Sequence, residues 1–295
     1  MKGFVNINKP SGMTSSDVVV KVRGILRRVS GEKQKVGHLG TLDPIGTGVL
    51  PIAVGTATRL FDYMQQKVKV YLATFVFGQT TDTLDCTGKV TATCDLIPSK
   101  EEIALALDSV CGEVEQIPPQ YSAKSVGGVR AYDLARAGIE VDLKPKKVTI
   151  YYAKLVDNDV CGNPYSLQKN EYAFEIACSS GTYIRSIARD LAARLNTLAY
   201  MSSIQRIKSG DFRLSDSVSL SDFEKEPIRY LKNIDSALKS FERIQLSGDQ
   251  KSKVLNGVAI RLQDAPKDDF VVECDGDVLG IATCKDGLLR MKTRL

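Results

Sequence analysis

The chain has 295 residues, of which 43% are hydrophobic and 25% are charged, and its formal net charge at pH 7 is +5. This composition is ordinary for a folded globular protein and allows one large domain with a smaller one attached. The sequence lacks both an uninterrupted run of about 18 apolar residues and an apolar leader at its start, so we expect no membrane span and a cytoplasmic location.

The cysteine and histidine content argues against a metal site or a disulfide framework. Seven cysteines are scattered along the chain without a Cys-x-x-Cys pair, and His38 is the single histidine. Metal sites and disulfide frameworks use denser spacings, so we expect free thiols and no bound metal. The sequence also has no P-loop and no dinucleotide-binding glycine motif, so we expect no cofactor.

Positive charge is concentrated near the start of the chain. Residues 1–60 contain nine lysines and arginines against three acids, an excess of six positive charges. Such a basic region suits a polyanion, although on charge alone a solvated helix face is the simpler interpretation.

The predicted elements mix helices and strands in chain order. Thr14 or Ser15 can cap a helix whose apolar positions 18, 22, 25, 26 and 29 follow helical spacing. Helical patterns also cover 101–111 and 182–195, while β-branched and aromatic runs predict strands at 68–77, 148–156 and 171–178. We therefore predict an α/β (α+β) fold, with a mixed, largely antiparallel central sheet flanked by helices.

Residues 116–147 form a predicted excursion from this pattern. The segment contains Gly127, Gly128 and Gly138 and ends in the basic run Lys144-Pro145-Lys146-Lys147. Basic loops rich in glycine are often mobile and close over a substrate, so we expect this excursion to grip a polyanion.

A domain boundary is predicted near residue 244. After this point the sequence turns to short strands at 258–262, 270–274, 278–284 and 288–295. Asp275-Gly276 is a strong hairpin signal between two of them. The prediction is therefore a large domain over 1–244 and a small β barrel over 245–295.

One block combines the single histidine with an acid and several glycines. It reads Gly37-His38-Leu39-Gly40-Thr41-Leu42-Asp43-Pro44 and continues through Gly46, Gly48 and Pro51 to Arg59. Taken alone, Asp-Pro between threonine and glycine is an ordinary turn, in which the aspartate caps the backbone. Taken together, the residues have the composition of an active-site loop.

The block resembles the signature of the TruB-type tRNA pseudouridine synthases. This chain has Gly46 where the family has alanine, and Arg59 where it has lysine. Further blocks at 8–15, 70–73, 78–88, 116–123, 178–185 and 202–212 are similar to other family motifs, so the resemblance covers nearly the whole chain.

The resemblance implies the pseudouridine synthase fold, a C-terminal PUA-like RNA-binding domain and a catalytic role for three residues. Asp43 matches the catalytic aspartate, Arg185 the arginine that pairs with it, and Tyr71 the tyrosine that stacks on the flipped base and helps to remove its C5 proton. Without the resemblance, Tyr71 reads as a core tyrosine in a strand and Arg185 as a helix-surface arginine. A cationic partner keeps a half-buried carboxylate ionised, as a nucleophile requires.

The resemblance also implies a set of residues that bind the RNA substrate or support its pocket. This set comprises Lys9, Lys35, His38, Thr41, Tyr121, Lys124, Arg130, Tyr183 and Ile204. After Ser122-Ala123 the family has an apolar residue and then a lysine, whereas this chain has Lys124 and then Ser125. Whether Lys124 makes the RNA contact of the family's lysine is therefore open. Asp82 and Asp85 are expected to shape a loop, since two acids without further ligands make a poor metal site.

Three functions are compatible with these observations. The first is isomerisation of uridine 55 in the T-loop of tRNA to pseudouridine, by base flipping and without an obligatory protein partner, in a chain expected to be a monomer. The second is guide-RNA-dependent modification of ribosomal RNA. The third is a non-catalytic RNA-binding or RNA-folding protein on the same scaffold. The presence of Asp43, Tyr71 and Arg185 argues against the third function. The uninterrupted catalytic blocks, the 116–147 excursion and the short C-terminal domain favour the first function over the second.

Overall fold

The computed structural model describes residues 1–65, 67–122, 124–139, 141–156, 170–239 and 241–295. Its strands are β1 (Gly3–Lys9), β2 (Val36–His38), β3 (Thr47–Val54), β4 (Lys69–Phe77), β5 (Gln79–Thr81), β6 (Val90–Thr93), β7 (Gly112–Gln116), β8 (Ser125–Val126), β9 (Val129–Arg130), β10 (Lys146–Val156), β11 (Glu171–Cys178), β12 (Ala199–Ser209), β13 (Phe212–Arg213), β14 (Arg243–Gln245), β15 (Ile260–Arg261), β16 (Phe270–Cys274), β17 (Asp277–Lys285) and β18 (Leu288–Arg294). Its α-helices are α1 (Ser15–Ser30), α2 (Phe61–Gln65), α3 (Lys100–Ala106), α4 (Ala131–Arg136), α5 (Ile184–Arg194), α6 (Leu220–Lys225), α7 (Pro227–Tyr230) and α8 (Gly248–Leu255).

A nine-stranded sheet forms the centre of the molecule. Its main order is β1-β3-β12-β4-β11-β10-β7, with β2 paired to β3 and β13 paired to β12. The β3–β12 pairing is parallel and the other pairings of this sheet are antiparallel. The predicted mixed, largely antiparallel sheet is therefore confirmed.

Helices cover the sheet because their apolar stripes face it. Helix α1 begins at the Thr14 N-cap, where Thr14 and Asp17 form a reciprocal capping box, and ends at Gly31 in the left-handed conformation. Its buried residues pack with Leu50, Ile52 and other even-numbered residues of β3. Helix α5 packs its apolar residues against β4 and β11 in a separate core cluster.

The predicted strands and helices are confirmed with shifted ends. The helix predicted at 101–111 is α-helical only over α3 and continues as a 3-10 helix at Leu107–Val110. The strand predicted at 258–262 shrinks to β15, because the Val258 N–H donates to the Lys253 carbonyl at the end of α8. Within the predicted excursion, the structure places the small β8–β9 hairpin and α4.

A second, curled sheet is formed by the C-terminal strands. Its five strands follow the order β14-β16-β17-β18-β15. Asp275 and Gly276 connect β16 to β17, and both have positive φ, at 52° and 81°. This conformation is typical of a tight hairpin turn and confirms the Asp-Gly signal.

The two sheets share an apolar core. Val271 and Ile281 of the C-terminal sheet pack in one cluster with Phe4, Val49 and Ala53 of the central sheet. Because side chains alternate along β3, α1 and the C-terminal sheet cover opposite faces of that strand. No helix in the described ranges is both long enough and apolar enough to cross a membrane.

Candidate active site

Asp43 lies on the loop that joins β2 to β3. The loop turns tightly there, since the Gly46 N–H donates to the Asp43 carbonyl at 2.9 Å. Ser15, at the start of α1, holds the preceding residue Leu42 from both sides: its hydroxyl donates to the Leu42 carbonyl at 3.1 Å and accepts from the Leu42 N–H at 2.9 Å. The side chain of Asp43 remains about one-third exposed and is therefore open to a substrate.

Two buried cations hold the backbone on either side of Asp43. The ammonium of Lys9 donates to the carbonyls of Pro10, Pro44 and Gly46 at 2.9, 3.0 and 2.6 Å. The guanidinium of Arg206 donates to the carbonyls of Gly40, Thr41 and Val49 at 3.1, 3.2 and 2.7 Å. Both side chains are fully buried. The turn around Asp43 is thus fixed at both ends.

Arg185 forms the electrostatic partner of Asp43. Its Nε lies 3.1 Å from Asp43 Oδ2 and its Nη2 lies 3.1 Å from Asp43 Oδ1, which is a bidentate pairing. The guanidinium is buried and also donates to the carbonyls of Thr83 and Tyr121 at 2.9 and 3.0 Å. This buried cation therefore fixes the direction of the Asp43 carboxylate.

A second carboxylate supports Arg185 from behind. Asp85 Oδ2 lies 3.4 Å from Arg185 Nη1, and Asp85 is itself buried. Its other carboxylate oxygen accepts from the Thr83 hydroxyl and from the backbone N–H and hydroxyl of Thr87. The expectation that Asp85 shapes its loop agrees with these contacts, but its pairing with Arg185 has no signal in the sequence.

Tyr71 lies on β4 in the core cluster that also contains Leu42, next to Asp43 in the chain. Burial raises the pKa of its phenol to about 12, and the guanidinium of Arg206 opposes this rise. Arg206 is directly opposite Tyr71 in the antiparallel β4–β12 pairing. At neutral pH the Tyr71 hydroxyl is therefore protonated.

Tyr183 caps α5, two residues before Arg185. Buried Gln116 clamps its backbone, since the Gln116 side chain accepts from the Tyr183 N–H at 2.8 Å and donates to the Tyr183 carbonyl at 3.1 Å. Together with the Tyr121 carbonyl on Arg185, these contacts bring the predicted blocks at 116–123 and 178–185 to the Asp43 loop.

The remaining predicted RNA-binding residues fall into two groups. Lys35 and Thr41 are exposed, and Lys124 is half-buried with its ammonium 3.0 Å from the Lys144 carbonyl. Lys9 and Ile204 are buried: Lys9 uses its ammonium on loop carbonyls, and Ile204 packs in the core cluster with Tyr71. The structure thus gives these two residues a supporting position below the site. The side chain of Arg130 lies outside the described residues.

His38 lies at the end of β2, directly before the loop that carries Asp43. Burial lowers the pKa of its imidazole and Arg206 lowers it further, so the ring is neutral at pH 7. Its Nδ1 atom is buried and has no hydrogen-bond partner in the part of the chain that the structure describes.

Arg206, Ser15 and Gln116 were not predicted as site residues. A signal existed for Arg206: it follows Ile204 at strand spacing and therefore shares the apolar face of β12, where a charge requires partners. No group of three or more metal-ligating side chains occurs among the described residues. Six cysteines in those ranges are free thiols, and Cys161 lies outside them.

Comparisons with known proteins agree with this geometry. Residues 27–184 match the model of the TruB family pseudouridylate synthase N-terminal domain. The chain is 43% identical to tRNA pseudouridine synthase B of Clostridium kluyveri, over 88% of this chain and 86% of the relative. It is 41% identical to the enzyme of the same name from Lactobacillus johnsonii, over 89% of this chain and 88% of the relative.

Solved structures show the same fold at much lower identity. A Cbf5-Nop10-Gar1 complex contains a chain with a TM-score of 0.71 and 21% identity, covering 99% of this chain and 84% of that one. An H/ACA RNP bound to a substrate RNA containing 2′-deoxyuridine gives a TM-score of 0.70 at 18% identity, with the same coverage. The sequence match is thus decisive for the family, and this chain belongs to the TruB family of pseudouridylate synthases.

Proposed function

We propose that this protein isomerises uridine 55 in the T-loop of tRNA to pseudouridine, acting without a guide RNA or a protein partner. The observation that carries the proposal is the Asp43–Arg185 pairing, a partly exposed carboxylate held bidentately by a buried guanidinium. Relatives that are 41% and 43% identical over nearly the full chain are named tRNA pseudouridine synthase B, which supports tRNA as the substrate.

The reaction exchanges one glycosidic bond for another. The N1–C1′ bond of the uridine breaks, the base rotates, and a C5–C1′ bond forms. C5 loses a proton and N1 takes one up. The uridine must first leave its stack and enter the cleft, which costs a few kcal/mol that contacts in the pocket offset. Atoms and electrons balance within the substrate, so the isomerisation itself needs no redox partner.

Asp43 supplies the carboxylate for this exchange. Its oxygens can attack the sugar or the ring, or stabilise the positive charge that develops at C1′ when the N1–C1′ bond breaks. Arg185 pairs with the carboxylate and fixes its direction through two hydrogen bonds. Asp85, from its buried position, keeps the guanidinium in place.

Tyr71 is assigned to the base and its C5 proton. Its ring, on the wall formed by β4, gives the flipped uracil an aromatic surface on which to stack. Because burial raises the pKa of the phenol to about 12, its oxygen accepts the C5 proton only while its own proton passes to solvent water, which returns a proton to N1 of the base. Tyr71 is therefore a proton relay in this scheme.

The proposal is tested with the purified chain and an unmodified tRNA transcript in the absence of other macromolecules. We expect pseudouridine at position 55. Because the isomerisation leaves the mass of the RNA unchanged, the product is detected by carbodiimide labelling. A transcript with cytidine at position 55 is the matched control and should remain unmodified. Conversion that requires a guide RNA or added proteins would favour the ribosomal RNA alternative, and binding without conversion would favour the non-catalytic one.

A further inference from the structure

Arg206 is a fully buried arginine in the wall of the active site. It lies on β12, between the parallel neighbour β3 and the antiparallel neighbour β4. Its guanidinium reaches across β3 to the Val49 carbonyl at 2.7 Å and onward to the carbonyls of Gly40 and Thr41. One side chain thus connects the catalytic loop to the sheet.

Burying a guanidinium to make this connection carries a large desolvation penalty. Removing the charge from water is unfavourable, and hydrogen bonds to neutral carbonyls offset only a part of this penalty. The same charge also lowers the pKa of the nearby His38 and Lys69 side chains, where it acts second to burial. A neutral apolar residue at this position would avoid these penalties, so the charge indicates a task beyond filling space.

The loop approaches Arg206 closely on both sides. Gly48 is paired with Arg206 in the parallel β3–β12 register, and a Cβ atom on Gly48 would lie 2.4 Å from the Arg206 carbonyl oxygen. Gly40, with φ of +128°, would place a Cβ atom 3.9 Å from Arg206 Nη1. Gly48 therefore permits the backbone after Asp43 to lie against this arginine, whereas at Gly40 the positive φ is what favours glycine.

We propose that Arg206 is a positioning residue that sets the Asp43 carboxylate relative to the Tyr71 ring. Gly40 and Thr41, which accept from the guanidinium, precede Asp43 by three and two residues. Tyr71 lies opposite Arg206 in the β4–β12 register. The arginine therefore links the two groups that act on the uridine, and it acts through the backbone without touching the substrate.

Lys9 cannot replace this link. Its three carbonyl partners lie at Pro10, Pro44 and Gly46, so it holds the far side of the turn after Asp43. With Arg206 removed, the carbonyls of Gly40 and Thr41 would lose these hydrogen bonds, and the segment before Asp43 would be held at Leu42 by Ser15. The carboxylate could then move relative to Tyr71. A misplacement of about 1 Å in an active site can lower a rate by about 100-fold.

The test compares Arg206→Lys and Arg206→Met with the parent protein under single-turnover conditions on tRNA. At saturating enzyme the rate constant reports the geometry of the folded enzyme, whereas the amplitude of a stoichiometric tRNA-binding titration reports the folded fraction. We expect rate constants in the order parent, lysine, methionine, with a total loss of about 100-fold. The amplitude and the tRNA affinity of the folded protein should stay near those of the parent.

The control is Phe223→Leu, a substitution in the buried cluster under α1 and away from the site. It should lower the melting temperature while leaving the rate constant unchanged. If Arg206→Met fails to fold, the rate constant of Arg206→Lys, which keeps the positive charge, tests the proposal by itself. Lysine and methionine variants with parental rate constants, or with losses in amplitude only, would overturn the proposal.

The inference rests on the proposed function, and the two can fail separately. A parent protein that makes no pseudouridine in tRNA removes the proposed function itself. An active parent whose Arg206 variants react at the parental rate removes only the positioning role.

Discussion

Tyr71 is proposed to perform two tasks: its ring stacks on the flipped base and its hydroxyl relays a proton. The ring packs in the core cluster beside Leu42, so Tyr71→Phe should keep the fold and the stacking surface. The hydroxyl is the proposed proton relay, and general acid–base groups contribute about 10²–10⁴-fold to a rate. We expect Tyr71→Phe to bind tRNA like the parent and to turn over at least about 100-fold more slowly.

Tyr172→Phe is a suitable control for this prediction. Tyr172 is another partly buried strand tyrosine, and its hydroxyl donates to the Pro98 carbonyl, away from Asp43. A time course of pseudouridine formation should give Tyr172→Phe a rate near that of the parent. Equal rates for Tyr71→Phe and the parent would leave Tyr71 as a core or stacking residue and place the proton acceptor elsewhere.

At the scale of residues, the sequence predicted the groups to which the family resemblance assigns a catalytic role, which are Asp43, Tyr71 and Arg185. Asp85 and Arg206 lie in the blocks at 78–88 and 202–212, but the resemblance implies no such role for them. Arg206 and Asp85 owe their positions to partners that are distant in the chain, such as Gly40 for Arg206 and Arg185 for Asp85. Such partnerships depend on the pairing of β12 with β3 and on the packing of α5, which local patterns do not encode.

The element that carries Asp43 is a turn whose closure depends on a charged Lys9. Burial lowers the pKa of the Lys9 ammonium to about 8, while Asp43 acts to raise it and Arg206 and Asp17 make smaller opposing contributions. Below that pKa the ammonium can serve all three carbonyls. Above it, the neutral amine has only two N–H donors, and one carbonyl is left without its hydrogen bond.

We therefore expect the single-turnover rate to fall as the pH rises through about 8. Tyr71 cannot cause this fall, because its pKa is about 12. Lys9→Met should be slower than the parent but independent of pH between about 7 and 9, since the titrating group is gone. Lys69 is also buried, with a pKa lowered to about 8. If the single-turnover rate of Lys9→Met still falls at alkaline pH, the decrease belongs to Lys69 or another group.

At the scale of elements, helices and strands were more predictable than their arrangement. The capping signal at Thr14, the β-branched run of β4 and the Asp275-Gly276 hairpin all follow from local chemistry. The order of the nine strands does not, because β3 pairs with β12 across about 150 residues of sequence. That single parallel pairing brings Arg206 to the Asp43 loop.

At the scale of the molecule, the C-terminal sheet is part of the structure around the site. Val271 and Ile281 bury apolar surface of Phe4 and Val49, and the Arg59 side chain donates to the Arg294 carbonyl at 2.8 Å. Removing residues 245–295 would expose this surface to water and destabilise the central sheet. Substitutions of exposed residues of the C-terminal sheet therefore test its role more cleanly than truncation does.

Part of the exposed surface of this sheet is basic. Arg261, Lys285 and Arg290 are exposed, and the β15–β18 and β17–β18 registers place them on the face opposite the buried Leu289. If this domain binds RNA, Arg261→Gln with Arg290→Gln should weaken binding of whole tRNA more than binding of an isolated T-stem-loop. The slope of log affinity against log salt should flatten by about 0.7–0.9 for each phosphate that the double variant no longer binds.

Lys225→Gln is the control for this pair. Lys225 is exposed on α6 and forms a short-range ion pair with Asp222, so its neutralisation should leave the binding of both RNAs and both slopes unchanged. Equal weakening for tRNA and stem-loop, or no weakening for either, would identify the C-terminal sheet as a structural element that does not bind RNA.

The most direct measurement of the central claim is the single-turnover rate of Asp43→Asn on tRNA beside its binding affinity. Asparagine keeps the size of aspartate but cannot act as a carboxylate, and Asp85 remains to hold Arg185 in place. We predict a rate loss of at least about 10⁴-fold, with the affinity changed by less than about threefold. The exposed Asp62→Asn variant should match the parent in both quantities. An Asp43→Asn rate within about tenfold of the parent would contradict the assignment of Asp43 as the catalytic carboxylate.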